Sequence, residues 1–249
     1  MQATFRIWRS TAAHSGGFVD YTTDVSEGMV VLDAVHQIQA DQQPDLACRW
    51  NCKAGKCGSC SAEINGRPKL MCMTRLNTLD LTQSVTVEPM RAFPLIKDLV
   101  TDVSWNFAVK KSIRRFRPRP VGADGTWRMS QRDADRVQEF RKCIECFLCQ
   151  DVCHVLRDHD KHESFIGPRF LTYSAALEMH PLDSDDRIGD LKDHHGIGYC
   201  NITKCCSAVC PEHIHITDNA IIPLKERVVD RFYDPFTRLL RVFRSGGGT

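Results

Sequence analysis

The sequence lacks long apolar runs and a strong excess of either charge. Its 249 residues include 33 lysines and arginines against 31 aspartates and glutamates, a formal net charge of +2. Such a small net charge creates no field that would attract nucleic acid, so we expect no nucleic-acid partner. No apolar stretch approaches the roughly 18 residues that a membrane-spanning helix needs. The opening residues, MQATFRIWRS, contain no apolar h-region, so we expect no signal peptide and a chain that is soluble by itself.

Cysteine, in contrast, is abundant, with 13 residues. Many of these cysteines are three or four positions apart, and cysteines so close within one turn are poor disulfide partners. Without an export signal, disulfides are also disfavoured by the compartment. Closely spaced cysteine pairs are good metal clamps. The sequence therefore predicts metal binding in a reducing compartment such as the cytoplasm.

Residues 1–107 predict a small β-rich domain. ATFRIWR and FVDYTTDV are rich in β-branched and aromatic residues, as strands are, and VVLDAVHQIQADQ has helical spacing of its apolar residues. Asn65 and Gly66 favour a type I′ hairpin turn, and SVTVEPM predicts a closing strand. Hairpin, helix, cysteine loop, hairpin and closing strand is the order of a ferredoxin-like β-grasp domain.

Residues 108–128 predict a basic linker, because they combine proline and glycine with many cations. Two roles are open for these cations: docking on an acidic partner or on anionic lipid headgroups, and plain solvation of the linker. The cations are Lys110, Lys111, Arg114, Arg115, Arg117 and Arg119.

Residues 129–249 predict a helical domain, since they show no strand alternation. Ser130 is expected to cap the first helix, and residues 217–219 are expected to cap AIIPLKERVVDRF. DPFTRLLRVF, residues 234–243, predicts a last short amphipathic helix.

The first cysteine group has the spacing C-x4-C-x2-C followed by a distant fourth cysteine, which is the spacing of plant-type [2Fe–2S] ferredoxins. Small residues such as Gly55 and Gly58 let backbone amides approach the inorganic sulfides. A zinc site is the alternative, although a glycine-rich C-x4-C loop is unusual for zinc. The predicted [2Fe–2S] ligands are Cys52, Cys57, Cys60 and Cys72.

Two further groups follow the run C-x2-C-x2-C-x3-C-P, in which the fourth cysteine ligates the other cluster of a pair. CIECFLCQDVC, residues 143–153, is complete except that His154 replaces the proline, whereas CNITKCCSAVCP, residues 200–211, has Thr203 where the second cysteine belongs. Crossed ligation predicts that Cys143, Cys146, Cys149 and Cys210 hold a [4Fe–4S] cluster. Cys153, Cys200 and Cys206 then hold the other cluster.

Thr203 determines the type of this last cluster. A threonine hydroxyl is a poor iron ligand because it stays protonated near neutral pH and is hard rather than soft. The fourth iron is readily lost, so the sequence predicts [3Fe–4S]. Cys48 and Cys205 remain, and we expect both to pack or to support a cluster's ligands rather than to ligate, although Cys205 could in principle replace Thr203. Histidines near this group are expected to cap or hydrogen bond; they are His194, His195, His213 and His215.

With three such groups in this order, the chain resembles the iron–sulfur subunits of succinate dehydrogenase and fumarate reductase (complex II) over nearly its whole length. RWNCKAGKCGSC, FPLIKDLVTDVSWNF and CPEHI are also similar to that family. The resemblance implies an α+β fold, with an N-terminal plant-type ferredoxin β-grasp domain plus a C-terminal α-helical ferredoxin domain.

The resemblance also implies a function. Electrons would pass from an FAD-containing partner subunit through [2Fe–2S], [4Fe–4S] and [3Fe–4S] to a membrane quinone. A hydrophobic anchor subunit would hold the chain at the cytoplasmic side of the cell membrane. We expect the iron–sulfur subunit of succinate dehydrogenase, with no carbon chemistry in this chain. The alternative is the corresponding subunit of a fumarate reductase or of another flavin-linked dehydrogenase.

The segments after Cys153 and Cys200 depart from the family pattern. Family members usually carry proline and tryptophans after the first of these cysteines and often a histidine after the second. Here residues 154–158 read HVLRD, and Asn201 follows Cys200. We therefore assign no quinone-contact residues.

Three other classes of protein share parts of the pattern. Subunits of glycolate or heterodisulfide-type enzymes usually carry two complete cubane motifs, which the gap at Thr203 disfavours. Free-standing ferredoxins are usually smaller and acidic. A zinc-binding interaction module is the non-redox alternative, and a visible spectrum separates it, since zinc thiolates are colourless.

Overall fold

The computed structural model describes residues 1–11 and 14–235. Within them, the N-terminal half forms one mixed β-sheet with strand order β4-β3-β5-β1-β6-β7, in which β2 also pairs with β1. β1 runs antiparallel to β2 and parallel to β5. The strands are β1 (Gln2–Thr11), β2 (His14–Asp24), β3 (Ser61–Ile64), β4 (Arg67–Leu70), β5 (Val85–Glu88), β6 (Leu95–Lys97) and β7 (Val100–Thr101).

The sheet buries one face against the first helix, α1 (Val31–Asp41). Alternate residues of β1, Phe5 and Ile7, are fully buried, as are Val35 and Ile38 on the helix. Period-2 and period-3.6 apolar patterns therefore meet in one core, as the sequence predicts. The hairpin between β3 and β4 turns at Asn65 (φ +50°) and Gly66 (φ +71°). Positive φ at both positions is the type I′ geometry expected there.

The C-terminal half is helical. Its first helix begins at Ser130, whose hydroxyl accepts a hydrogen bond from the Asp133 amide at 3.2 Å, as predicted. The helices after α1 are α2 (Ser104–Ser112), α3 (Gln131–Gln138), α4 (Leu148–Asp151), α5 (His154–Arg157), α6 (Gly167–Glu178), α7 (Ile188–Asp193), α8 (Cys205–Ala208) and α9 (Ile222–Phe232). Residue 108, the predicted start of the linker, lies inside α2.

The basic stretch after α2 packs against the C-terminal half of the chain. The Arg114 guanidinium pairs with Asp185 at 3.0 Å and with Asp190 at 2.8 Å. The Arg119 amide donates to the Leu182 carbonyl at 2.9 Å. Arg187, which is fully buried, donates to the carbonyl of Arg114 at 2.9 Å. Part of the positive charge of this stretch is thus neutralised within the chain.

The cap predicted at residues 217–219 is wrong. These residues belong to a π-helical turn, Ile216–Ile221, that continues into α9. The Thr217 side chain is used elsewhere, because its hydroxyl lies 3.4 Å from the Cys206 sulfur and 3.2 Å from the Ser207 hydroxyl. The amphipathic helix predicted at residues 234–243 extends beyond the described residues. Across residues 1–11 and 14–235, no helix has the length and apolar character needed to cross a membrane.

Candidate metal centres

The first cysteine group lies on the loop between α1 and β3. This loop turns through left-handed residues, Lys53 (φ +53°), Gly55 (φ +66°) and Gly58 (φ +69°). The turns aim backbone amides at sulfur: the amides of Ala54 and Lys56 donate to the Cys52 sulfur at 3.4 and 3.3 Å. Such amides stabilise negative charge on a thiolate and on the cluster it holds.

The fourth cysteine of this group, Cys72, comes from the far side of the β3–β4 hairpin. Its amide donates to the Cys60 sulfur at 3.5 Å. Burial alone would raise the pKa of Cys57, but hydrogen bonds from Ser59 and Cys52 lower it to about 6. A thiol with this pKa is largely ionised near neutral pH and is ready to bind metal.

The first loop is in direct contact with the second cysteine group. A Cβ on Gly58 would lie 2.5 Å from the Cys146 Cα, so only glycine fits there. The Ser61 hydroxyl also donates to the Cys146 carbonyl, at 2.9 Å. Sequence reasoning missed Ser61, since the contact joins residues 85 positions apart.

The second group surrounds one enclosed and mostly apolar cavity. The four cysteines predicted to hold [4Fe–4S] all line it, together with Phe147, Ile214 and Ile216 among others. Cys210 is thus brought to Cys143, Cys146 and Cys149 from 61 or more positions along the chain, as crossed ligation requires.

The third group gathers around Cys206. The Cys206 sulfur interacts electrostatically with Cys200 and Cys205, and the Cys153 sulfur with Cys205 and Cys206. Cys149 of the second group interacts with Cys206 as well. The three groups therefore form a continuous series, in which the second group contacts the first and lies near the third.

The two cysteine runs, 143–153 and 200–210, have the same backbone conformation at matched positions. In the run 143–153, Glu145 (φ +55°) and Phe147 (φ +62°) are left-handed and α4 follows; in the run 200–210, Ile202 (φ +62°) and Lys204 (φ +62°) are left-handed and α8 follows. Left-handed conformations are uncommon outside glycine, and their repetition at matched positions indicates a functional demand. Thr203 therefore occupies the position equivalent to Cys146.

The donor set fits iron–sulfur clusters. Burial raises the pKa of the Cys146 and Cys153 thiols to about 12 and that of Cys206 to about 11. Such thiols ionise only when a cation compensates their charge, so metal binding must release their protons. Within the described ranges, no three His, Cys, Asp or Glu side chains converge on a point that would hold a single metal ion.

The remaining cysteines differ from each other. Burial raises the pKa of Cys48 to about 12, and this residue packs against the core of the N-terminal half. Cys205 lies at the third group, with its sulfur 3.2 Å from the Thr203 hydroxyl. Of the histidines near this group, His215 pairs with Glu139 at 2.7 Å.

The segment after Cys153 connects the two halves of the chain. Val155 and Leu156 are buried in the C-terminal core. Arg157 pairs with Glu63 of β3 at 3.1 Å, and the Glu63 side chain is fully buried. This contact was not predicted, because nothing in the local sequence links Arg157 to a glutamate 94 positions away.

Comparison with known proteins finds two family domains in the chain. Residues 4–108 match a 2Fe-2S iron-sulfur cluster binding domain, and residues 139–214 match a 4Fe-4S dicluster domain. The fumarate reductase iron-sulfur subunit of Mycobacterium tuberculosis is 33% identical over 79% of this chain and 80% of its own length. The succinate dehydrogenase iron-sulfur subunit of Coxiella burnetii is 30% identical over 79% of this chain and 83% of its own.

A solved structure is similar as well. A chain in the structure titled "Mycobacterium smegmatis Sdh1 complex in the apo form" is 60% identical, with a TM-score of 0.90, and the alignment covers 94% of this chain and 98% of that one. The chain belongs to the family of iron–sulfur subunits of succinate dehydrogenase and fumarate reductase.

These findings confirm the predicted α+β class, the resemblance and the presence of 2Fe-2S and 4Fe-4S domains. The chain is thus the iron–sulfur subunit of an oxidoreductase complex of this family. The cysteine ligand sets, the [3Fe–4S] assignment and the boundaries at residues 107 and 128 stay predictions.

Proposed function

We propose that this chain relays single electrons from an FAD-containing partner subunit to a membrane quinone, as the iron–sulfur subunit of a succinate dehydrogenase. The observation that carries the proposal is the continuous series of three cysteine groups, joined by the contact of Gly58 with Cys146 and by the proximity of Cys149 to Cys206. When bound, the clusters would supply one-electron carriers of different potential. The contribution of the chain is to hold them close together in a fixed order.

The ligand sets belong to the proposal. Cys52, Cys57, Cys60 and Cys72 hold [2Fe–2S]; Cys143, Cys146, Cys149 and Cys210 hold [4Fe–4S]; Cys153, Cys200 and Cys206 hold [3Fe–4S]. The match to a dicluster model over residues 139–214 supports two clusters in the second domain.

Exposed apolar residues at both ends of the series support an electron entrance and exit. Beside the first group, Cys52 is exposed, and so are Trp50 and Met73. Beside the third group, Tyr199 and Ile202 are exposed on either side of Cys200. Exposed apolar surface of this kind is typical of contacts with other subunits. The proposed arrangement places the flavin subunit at the first end and a hydrophobic anchor with the quinone at the other, on the cytoplasmic side.

Purification from native membranes tests the function. We expect a flavoprotein and a hydrophobic anchor to co-purify with this chain, and succinate to reduce its clusters. Recovery of the chain without a flavoprotein would contradict the proposal. A fumarate reductase is the second candidate, supported by the relatives of that name, and the relative rates of succinate oxidation and fumarate reduction separate the two.

Serine substitution tests the ligand sets. We expect Ser at any of the 11 assigned positions to disturb one cluster. Cys48→Ser is the control, because it makes the same chemical change at a cysteine that packs against the N-terminal core, and it should leave all three clusters intact. Iron and sulfide content and electron paramagnetic resonance (EPR) spectra provide the measurement. Loss of a whole cluster from Cys48→Ser would refute the assignment.

A further inference from the structure

The third cysteine group has one more sulfur than its predicted ligand set uses. Cys205 is the first residue of α8, directly after the left-handed Lys204. Its sulfur lies 3.2 Å from the hydroxyl of Thr203 and interacts electrostatically with Cys153 and Cys206. Thr203, in turn, occupies the position equivalent to Cys146, where the fourth thiolate of a cubane belongs. A thiol is therefore next to the corner of the cluster that lacks a ligand.

Only one of the two cysteine runs, 200–210, has a thiol at this position. The residue equivalent to Cys205 in the run 143–153 is Leu148, which is buried and packs with the core of the N-terminal half. Cys205 is only half-buried, and α8 is a helix of four residues that follows an irregular segment. Its side chain lies beside the cluster site without being enclosed in a core.

Chemistry separates the two candidate donors at this corner. The Thr203 hydroxyl stays protonated near neutral pH and is a hard donor, whereas a thiolate is the soft ligand that iron–sulfur clusters use. Cys206, the neighbouring ligand, has its sulfur 3.4 Å from the Thr217 hydroxyl, a contact that Cys205 does not share. A change of the Cys205 rotamer would therefore break its own contact with the Thr203 hydroxyl and leave the contact between Cys206 and Thr217 in place.

We propose that Cys205 is a conditional fourth ligand, which allows the third site to take up Fe²⁺ and change from [3Fe–4S] to [4Fe–4S]. The proposal rests on the proposed function, in which the third site holds [3Fe–4S]. The oxidised cluster, [3Fe–4S]⁺, gains one electron, from dithionite in the test or from the partner flavin in the enzyme. Cys205 then loses its proton to solvent and binds the added Fe²⁺ as a thiolate, which completes [4Fe–4S]²⁺ with no further change in electron count. Oxidation with loss of Fe²⁺ reverses the step.

EPR on the complex purified from native membranes tests the proposal. An oxidised [3Fe–4S] cluster gives a characteristic signal, whereas [4Fe–4S]²⁺ gives none. Wild type, Cys205→Ala and Thr203→Val are incubated anaerobically with dithionite, with and without Fe²⁺. They are then desalted, reoxidised with a mild one-electron dye and measured. We expect wild type to lose the signal only in the sample treated with Fe²⁺ and to gain one iron per chain there. Thr203→Val should behave in the same way. Cys205→Ala should keep the signal in both samples.

Two outcomes refute the proposal for Cys205 and leave the proposed function standing. In the first, wild type keeps its signal after Fe²⁺ treatment; in the second, Cys205→Ala loses its signal to the same extent as wild type. A signal that is absent from untreated wild type but present in Cys205→Ala supports the proposal, since the site would then already hold four irons. A signal absent from both proteins defeats the [3Fe–4S] assignment itself and the proposal with it. The [2Fe–2S] signal, recorded in the same samples, shows that each variant is folded.

Discussion

Residue 203 is predicted to set whether the third site holds a fourth iron permanently. Because Ile202 and Lys204 are left-handed in the same way as Glu145 and Phe147, a cysteine at position 203 would be placed as Cys146 is. We expect Thr203→Cys to convert the proposed [3Fe–4S] cluster into a permanent [4Fe–4S] cluster and to lower its potential. Electron delivery to quinone should slow, while reduction of a dye that takes electrons upstream should survive.

The EPR spectrum of the air-oxidised complex checks this conversion. Wild type should show the [3Fe–4S] signal and Thr203→Cys should not. Thr203→Val is the matched control, because it changes the same side chain without adding a thiol, and it should retain the signal. An undiminished signal in Thr203→Cys would mean that residue 203 is not the open corner.

Gly58 is expected to fix the distance between the first and second cysteine groups. A Cβ there would lie 2.5 Å from the Cys146 Cα, and its φ of +69° is strained for any other residue. Gly58→Ala should therefore cost about 1–3 kcal/mol from backbone strain alone, with a further cost from the clash. Separation of the two loops should also slow electron transfer between their clusters.

Gly66→Ala is the control for backbone strain. Gly66 has a similar φ of +71°, but a Cβ there would meet nothing within 4 Å. The urea midpoint for loss of visible cluster absorption and the rate of reduction of the second cluster should both fall further in Gly58→Ala than in Gly66→Ala. Equal behaviour of the two variants would show that the contact with Cys146 has no role.

At the scale of elements, β3 and α5 are joined by a buried ion pair. Glu63 is fully buried and lies 3.1 Å from Arg157, with Arg91 at 3.4 Å. Loss of Arg157 leaves the buried carboxylate with Arg91 alone, whose side chain is half exposed, so Arg157→Met should destabilise the chain by up to about 3 kcal/mol. The exposed pair of Arg6 and Asp20 is the control, and Arg6→Met should lower the urea midpoint much less than Arg157→Met does, because solvent screens this pair.

This destabilisation should depend on pH. Burial raises the pKa of Glu63, and the pairing with Arg157 opposes that rise. Without Arg157 the folded chain holds a proton on Glu63 to a higher pH than the unfolded chain does, so stability falls as pH increases through that range. Urea midpoints of Arg157→Met should thus be closer to wild type at mildly acidic pH than at alkaline pH. Glu63→Gln in the same chain should weaken this dependence, and an unchanged dependence would assign it to the neighbouring Asp151, whose pKa burial raises to about 7.

The local elements could be predicted from sequence, whereas most contacts between them could not. Asn65 and Gly66 specify their turn, and Ser130 its cap, because both act on neighbouring residues. Cysteine spacing likewise predicts which sulfurs share a group. The π-helical turn at Ile216–Ile221 was missed, because Thr217 is engaged with Cys206 rather than with the helix end. The pairing of Glu63 with Arg157 joins distant segments that no spacing rule connects.

At the scale of the whole molecule, the cysteine groups follow each other in space as they do in sequence. The first group lies on the N-terminal half, and the other two share a repeated run in the C-terminal half, where residues 143–153 and 200–210 each contribute to both groups. With the proposed ligand sets, each run would supply ligands to both clusters, and these crossed contributions would tie the two runs of the second domain together. Cluster content and folding of this domain should consequently be coupled, because a metal site that forms only in the folded state contributes its binding energy to folding.

Membrane association is expected to depend on a partner subunit. The described residues contain no helix that could span a bilayer, yet the proposed electron path ends at a lipid-soluble quinone. The exposed Tyr199 and Ile202 beside the third group supply an apolar surface for an anchor.

We expect the chain to sediment with membranes in cells that contain the anchor and to appear in the soluble fraction when the anchor gene is deleted. Tyr199→Ser with Ile202→Ser should shift it to the soluble fraction as well, whereas the same change at Trp127, exposed but on the linker, should not. A chain that is soluble even with the anchor present would instead act as a free carrier.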